Sequence, residues 1–171
     1  MNSPYRICFV CTGNICRSPS AEVVVRALAE RVSALEIEVD SAGTDDWHAG
    51  QPADPRALRA LTVAGYDGAT HRARQFDPQW FRERDLIVAL DRGHARRLRS
   101  WAPDDEARGR IRLLRSFDPA VDAHPDDPLV DVADPYYDGE AEFALMVEQI
   151  EAAGAGLLEH LARERHAFHQ G

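Results

Sequence analysis

All three cysteines of this chain, Cys8, Cys11 and Cys16, lie within nine residues near its start. Arg17 follows Cys11 by six positions, with Thr12, Gly13, Asn14, Ile15 and Cys16 between them. A cysteine and an arginine at that spacing mean little alone. Their context gives the pattern meaning. The loop follows a short apolar run and leads into a helical pattern. It holds a glycine and an asparagine, the residue types that tolerate positive φ. Curled backbone N–H groups at a helix N-terminus make an anion cradle. Arg17 can add a bidentate fork to a phosphate. Thr12, Gly13, Asn14, Ile15, Cys16, Arg17 and Ser18 are thus expected to form a phosphate-binding loop. The same field favours a thiolate at Cys11, and the Ser18 hydroxyl could donate to it. A nucleophilic sulfur at the base of a phosphate cradle is what covalent phosphoryl transfer requires. The plainer alternative is a buried cysteine beside a capped helix.

Zinc is the rival explanation for clustered cysteines, but a zinc site wants four ligands, usually as two close pairs. Only one cluster is present, with no histidine beside it, so neither metal nor cofactor is expected. An odd cysteine count argues against a secreted disulfide scaffold, and Met1–Arg6 lacks the basic and apolar regions of an export signal. The expected location is the cytoplasm. The charge is −9, from 29 acidic and 20 basic residues, and every basic residue is arginine. A protein that coats nucleic acid needs a basic surface, so nucleic acid is not an expected partner. No apolar run approaches the roughly 18 residues of a membrane span, so no membrane is expected either.

The elements that must position the loop follow from periodicity. The 171 residues fit one domain spanning the whole chain. Apolar runs at Tyr5–Val10, Ile37–Ala42, Leu86–Leu90 and Ile111–Leu114 read as strands. Ser18 could cap a first helix with Pro19 at its first position. Ala21, Val24, Val25, Leu28 and Val32 give that helix one apolar face. Asp54-Pro55 opens a second helix that Gly65 closes, and Asp91 to Trp101 forms a basic third. Ser116–Gly139, acidic and rich in proline, reads as a long loop, which in a compact domain is usually functional or disordered. A last helix shows Phe143, Met146, Val147, Ile150, Ala153, Leu157, Leu158 and Leu161 on one face. Gly154 and Gly156 weaken it intrinsically, so packing must hold it there. Residues 163–171 read as a polar, frayed tail. His160, His166, His169 and the histidines assigned no role read as solvated. Alternating strands and helices imply an α/β fold: a four-stranded parallel sheet between two helical layers. In such sheets ligands bind at the carboxyl ends of the strands. Cys11, Ser41, Asp91 and the Ser116–Gly139 loop all follow strands.

Val10-Cys11-Thr-Gly-Asn-Ile-Cys-Arg-Ser-Pro-Ser-Ala-Glu22 resembles the signature of the low-molecular-weight protein tyrosine phosphatases. The resemblance continues, in the family's order, through Ser41-Ala-Gly-Thr44, Asp46-Trp-His48, His71-Arg-Ala-Arg-Gln75, Ala89-Leu-Asp-Arg92 and Asp134-Pro-Tyr-Tyr137. It is strongest to the bacterial branch. It implies that Cys11 is the nucleophile and Arg17 binds the phosphoryl oxygens. Ser18 would steady the thiolate. Asn14 would hold the loop's shape through Ser41 and His71. Asp134 would act first as general acid and then as general base. Trp47, Tyr136 and Tyr137, with Ile15, would wall a slot for a flat aromatic ring. Residue chemistry alone does not select Asp134. The chain has five Asp-Pro pairs, and Asp118, Asp127 and Asp134 all lie on the long loop; the two tyrosines after Pro135 favour the last.

The expected activity is hydrolysis of phosphotyrosine in proteins through a phosphocysteine, with phosphate-like oxyanions as ligands. Arsenate reductase chemistry on the same fold would need two further cysteines downstream, and none follows Cys16. Protein-arginine phosphatases of the family carry Thr where this chain has Ile15. A phosphatase for small acyl or sugar phosphates and a non-catalytic phosphotyrosine-binding module are the remaining alternatives. Cys16, five residues from Cys11, is expected to form a reversible disulfide with it under peroxide, or else to be only a small buried residue.

Overall fold

The run Tyr5–Cys11 becomes β1, and it is flanked on both sides. It pairs in parallel with β2 (Ile37–Gly43) and with β3 (Leu86–Ala89), and β3 pairs in parallel with β4 (Ile111–Leu113). The order is β2-β1-β3-β4. The structure is a computed structural model that describes residues 3–32 and 35–169, with side chains through 165. Register decides where the strands end together. Cys11 lies opposite Gly43, and Val10 lies opposite both Ala42 and Ala89. Three carboxyl ends therefore converge on the segment after Cys11.

The pleat sends alternate residues of β1 to opposite layers. Ile7, Phe9 and Cys11 pack with Leu86, Val88 and the apolar faces of α1 (Arg17–Glu30), α2 (Pro55–Val63) and α5 (Glu140–His169). Cys8 and Val10 join Ile87, Ala89, Ile111 and Leu113 against α3 (Arg92–Trp101), α4 (Asp105–Gly109) and the 3-10 turn Pro78–Arg82. The α/β expectation of one parallel sheet between two helical layers holds. All eight apolar residues named for the last helix are buried.

Several expectations need correction. Helix α1 starts at Arg17 rather than after Ser18, and its N-cap, Cys16, makes no side-chain cap bond. It ends at Glu30, before Val32. The long loop is ordered and contains a short 3-10 turn, Pro128–Val130. Helix α5 runs through the stretch from 163 onward that polarity marks as frayed, as far as His169. Good helix formers and a His160–Glu164 contact at 3.1 Å support it there. Residues 170 and 171, and the expected solvation of His166 and His169, lie outside the described residues.

The outer edge of β2 is covered. The Val39 carbonyl accepts from Arg26 Nη2 at 2.8 Å and the Ser41 carbonyl from Arg74 Nε at 3.2 Å. The Gly43 N–H and carbonyl pair with the backbone of Arg74 and Phe76 at 2.8 Å each.

Gly156 shows why α5 tolerates a glycine. A Cβ there would meet the Phe117 carbonyl oxygen at 1.9 Å. The missing side chain lets the helix lie against the turn that leads into the long loop. Gly156→Ala should therefore destabilise the protein by about 1–3 kcal/mol despite alanine's better helix propensity. Urea unfolding at unchanged m-value checks this; a variant as stable as the parent would refute it.

Candidate active site

The loop after β1 is shaped by Asn14. Its φ of 56° is the only positive value at a non-glycine among the described residues. Asn14 Nδ2 donates to Ser18 Oγ at 2.8 Å and to Ser41 Oγ at 3.0 Å. Its Oδ1 accepts the Arg74 N–H at 3.0 Å, and its carbonyl lies 2.7 Å from His71 Nε2. The supports expected at Ser41 and His71 thus both meet Asn14, one through the side chain and one through the backbone. Gly13 does not use positive φ. A Cβ there would lie 2.9 Å from the His48 ring, so glycine makes room for that ring.

Ser18 is fully buried, and its hydroxyl lies 2.9 Å from Cys11 Sγ. Asn14 donates to the same oxygen, which itself reaches the Ala42 carbonyl at 3.3 Å. Either Cys11 Sγ or the Ser18 hydroxyl can be the donor in the contact between them. Ser18 lies inside the first turn of α1, so its hydroxyl meets these partners and does not cap the helix. Burial raises the thiols of Cys8 and Cys16, with Asp40 adding at Cys8 and Asp54 at Cys16. Both shifts favour the neutral thiol.

Arg17 is almost completely buried. Its Nη1 donates to Asp91 Oδ2 at 2.9 Å and to the Val132 carbonyl at 3.1 Å. Its Nη2 lies 3.4 Å from Asp134 Oδ2 and 3.4 Å from His94 Nε2. Burial alone would lower the guanidinium's pKa, but the Cys11 sulfur, Asp134 and Asp91 raise it on balance.

His94 corrects the expectation that the unassigned histidines are solvated: it is only 4% exposed. Its Nε2 faces both Arg17 and, at 2.9 Å, Thr12 Oγ1. A guanidinium can only donate, so Nε2 is the acceptor and Nδ1 carries the hydrogen. Nδ1 lies 3.2 Å from Asp91 Oδ1, off the direction of a good hydrogen bond. Burial first, and then Arg17, lower the His94 pKa to about 4. Asp91 and His94 are thus site residues that sequence reasoning left without a role. The one local signal was Asp91 three residues before His94 at a helix start, where Asp91 caps α3 through the His94 N–H at 2.9 Å.

The five Asp-Pro aspartates behave alike locally. Asp54, Asp77, Asp118, Asp127 and Asp134 each accept the N–H two residues on, at 2.8–3.2 Å. What distinguishes Asp134 is its second oxygen, which reaches Arg17.

A cavity of about 260 Å³ opens over Cys11. Thr12, Gly13, Ile15, Cys16 and Arg17 line it from the loop, and Asp134, Tyr136 and Tyr137 from the segment before α5. Asp45, Trp47 and His48 line it from the segment after β2. Trp47 is 81% exposed and Tyr137 93%, so both stand at the mouth. The Tyr136 and Tyr137 rings meet edge to face with centroids 5.0 Å apart. Among the described residues, no group of three or more His, Cys, Asp or Glu side chains is placed to hold a metal ion. No helix of the described residues is long and apolar enough to cross a membrane.

Cys11, Arg17 and Asp134 thus meet at one cavity at the carboxyl ends of a parallel α/β sheet. Residues 6–167 match the family model for the low molecular weight phosphotyrosine protein phosphatases. A low molecular weight protein-tyrosine-phosphatase of Streptomyces coelicolor is 54% identical over 90% of this chain and 92% of its own. Protein-tyrosine phosphatase A of Mycobacterium tuberculosis is 44% identical over 92% of this chain and 91% of its own. A crystal structure of a protein tyrosine phosphatase from Entamoeba histolytica, with Hepes in its active site, superposes with a TM-score of 0.86 at 30% identity. It covers 94% of this chain and 99% of that one. The chain belongs to the low molecular weight phosphotyrosine protein phosphatase family and is a hydrolase of that class.

The buried neutral His94 has a consequence for stability. Its folded pKa lies below the unfolded value of about 6.5, so the unfolded chain binds the proton first as pH falls. The stabilisation is complete above about pH 6.5 and is lost progressively down to about pH 4. Its full size is on the order of 3 kcal/mol. Urea unfolding across this range should show the slope, and His94→Gln should reduce it. An unchanged slope in the variant would mean that other groups carry it.

Proposed function

We propose that this phosphatase hydrolyses phosphotyrosine in proteins by way of a phosphocysteine on Cys11. The observation that carries this reading is the meeting of three groups at one cavity: Cys11 Sγ beside the Ser18 hydroxyl, the Arg17 guanidinium, and the Asp134 carboxylate 3.4 Å from that guanidinium. The cradle N–H groups of Thr12–Ser18 and Arg17 hold the three phosphoryl oxygens. The thiolate attacks phosphorus in line; the S–P bond forms as the P–O bond to the tyrosyl ring breaks. Asp134 gives its proton to the leaving oxygen. Water then attacks the phosphocysteine, Asp134 takes a proton from it, and phosphate leaves with the thiolate restored. Ser18 donates to the sulfur in both steps.

Ile15, Trp47, Tyr136 and Tyr137 favour a flat aromatic ring through burial and stacking. A phosphoguanidine would need a hydroxyl or acidic partner where Ile15 stands. Phosphotyrosine should therefore be preferred over phosphoarginine, with the preference weakened by Ile15→Thr. A catalytic thiol works in a reducing compartment, which favours the cytoplasm.

Two experiments test the mechanism. Cys11→Ser should abolish turnover of aryl phosphates while phosphate still binds; near-parental turnover would refute the nucleophile. Asp134→Asn should lower kcat/KM for phenyl phosphate by about 10²–10⁴-fold, the usual contribution of general acid catalysis. The loss should shrink as the leaving phenol becomes more acidic. A loss that stays constant across a series of substituted aryl phosphates would mean that Asp134 is not the acid.

We also propose Cys16 as the redox partner of Cys11. It lies buried at the start of α1 and lines the same cavity as Cys11. Peroxide would oxidise Cys11 to the sulfenic acid, and Cys16 would displace water to form the disulfide. Mass spectrometry after mild peroxide should find an internal disulfide. Cys11 passing directly to sulfinic acid would refute it.

A further inference from the structure

Asp134 lies between the 3-10 turn Pro128–Val130 and α5, in a segment with no regular secondary structure. Its placement therefore depends on what grips that segment. Three residues upstream, Asp131 is gripped by Arg92. The Arg92 N–H donates to Asp131 Oδ1 at 2.8 Å. Arg92 Nε reaches Oδ1 at 3.2 Å and Oδ2 at 3.1 Å, and Nη2 donates to Oδ2 at 3.0 Å. The same guanidinium donates from Nη1 to the Asp126 carbonyl at 2.7 Å. Arg115 reaches the Asp131 carbonyl only at 3.4 Å.

Arg92 directly follows Asp91, the partner of Arg17. One dipeptide at the start of α3 thus holds both halves of the site. Asp91 fixes the phosphate-binding guanidinium, and Arg92 fixes the segment that carries the acid. Val132, one residue past the clasp, links them: its N–H donates to the Leu90 carbonyl at 2.9 Å, and its carbonyl accepts from Arg17 at 3.1 Å.

We propose that Arg92, through its bidentate grip on Asp131, is a positioning residue for the general acid, setting where the Asp134 carboxyl stands over the cradle. The proposal rests on the reading of Asp134 as the acid. A guanidinium fork on a carboxylate fixes direction as well as distance, which a single ammonium contact does not. Both side chains are partly exposed, at 34% and 27%, and ion pairs screened by solvent add little to global stability. Placement is a different matter: a displacement of about 1 Å can cost on the order of 10²-fold in rate.

The test is kcat/KM for a series of aryl phosphates whose leaving phenols differ in acidity. It is measured for the parent, Arg92→Ala, Arg92→Lys, Asp134→Asn and the Arg92→Ala/Asp134→Asn double variant. Arg92→Ala should lose on the order of tenfold on phenyl phosphate and much less on the most acidic phenol, because only a poor leaving group needs the proton. Arg92→Lys, which keeps the charge without the fork, should stay close to Arg92→Ala. Competitive inhibition by inorganic phosphate should change little, since the cradle is untouched. The double variant should match Asp134→Asn alone. A loss in Arg92→Ala that is constant across the series, or that adds in full to that of Asp134→Asn, would overturn the proposal. If Asp134→Asn itself shows no dependence on the leaving group, the reading of Asp134 fails and the proposal falls with it. If Asp134→Asn shows the dependence and Arg92→Ala does not, only the proposal fails. Should Arg92→Ala melt before assay, Asp131→Asn removes the charge from the other side of the clasp and is judged by the same outcomes.

Discussion

A guanidinium taken out of water needs acceptors on every side, and much of this site is the answer to that demand at Arg17. Its position is fixed at the first turn of α1, just past the carboxyl end of β1. The acceptors come from segments far along the chain: Asp91 after β3, Val132 and Asp134 before α5, and His94 in α3. A buried charge without partners is among the costliest features a core can hold. Satisfying this one closes the long acidic loop over the sheet. His94 can serve only as a neutral imidazole, because a charged ring would add a second buried cation beside the first. The same groups fix the Arg17 guanidinium at the lining of the cavity that holds Cys11.

The parts of the molecule that could be read from sequence are the local ones. The loop from Cys11 to Ser18 needs only a strand, a turn residue at Asn14 and a helix start, all contiguous. The strands and the buried face of α5 follow from short-range periodicity, as does the need for packing around Gly156. Ser18 misleads at this range, because serine before proline at a helix start is a strong capping signal. Its hydroxyl is instead drawn to the Cys11 sulfur and Asn14. His94 is illegible for the opposite reason: its partners Arg17 and Thr12 are 77 and 82 residues away in the chain. Asp134 falls between the two cases. All five Asp-Pro aspartates make the same local turn, so only a contact across the fold, or a family pattern, singles one out.

Arginine does work in this chain that other proteins divide with lysine. Arg56 shows the effect on the slot. It grips Asp54 through two nitrogens at 3.1 and 2.9 Å and donates to the Tyr136 carbonyl at 2.8 Å. Asp54 in turn donates its N–H to the Ile15 carbonyl at 2.8 Å. The loop wall and the tyrosine wall of the cavity are thus tied to one ion pair at the start of α2. A planar fork is suited to such a brace, because it resists rotation as well as separation.

The covered edge of β2 has a consequence for how phosphoproteins can be held. An open sheet edge offers a row of backbone donors and acceptors, and extended peptides often bind by adding a strand to it. It also invites a second molecule to do the same and start an aggregate. From Val39 to Gly43 the carbonyls of that row are already engaged by Arg26, Arg74 and the Phe76 N–H, and the Gly43 N–H by the Arg74 carbonyl. The opposite edge strand, β4, is only three residues long. Neither edge therefore offers an extended peptide a long row of free backbone carbonyls to pair with.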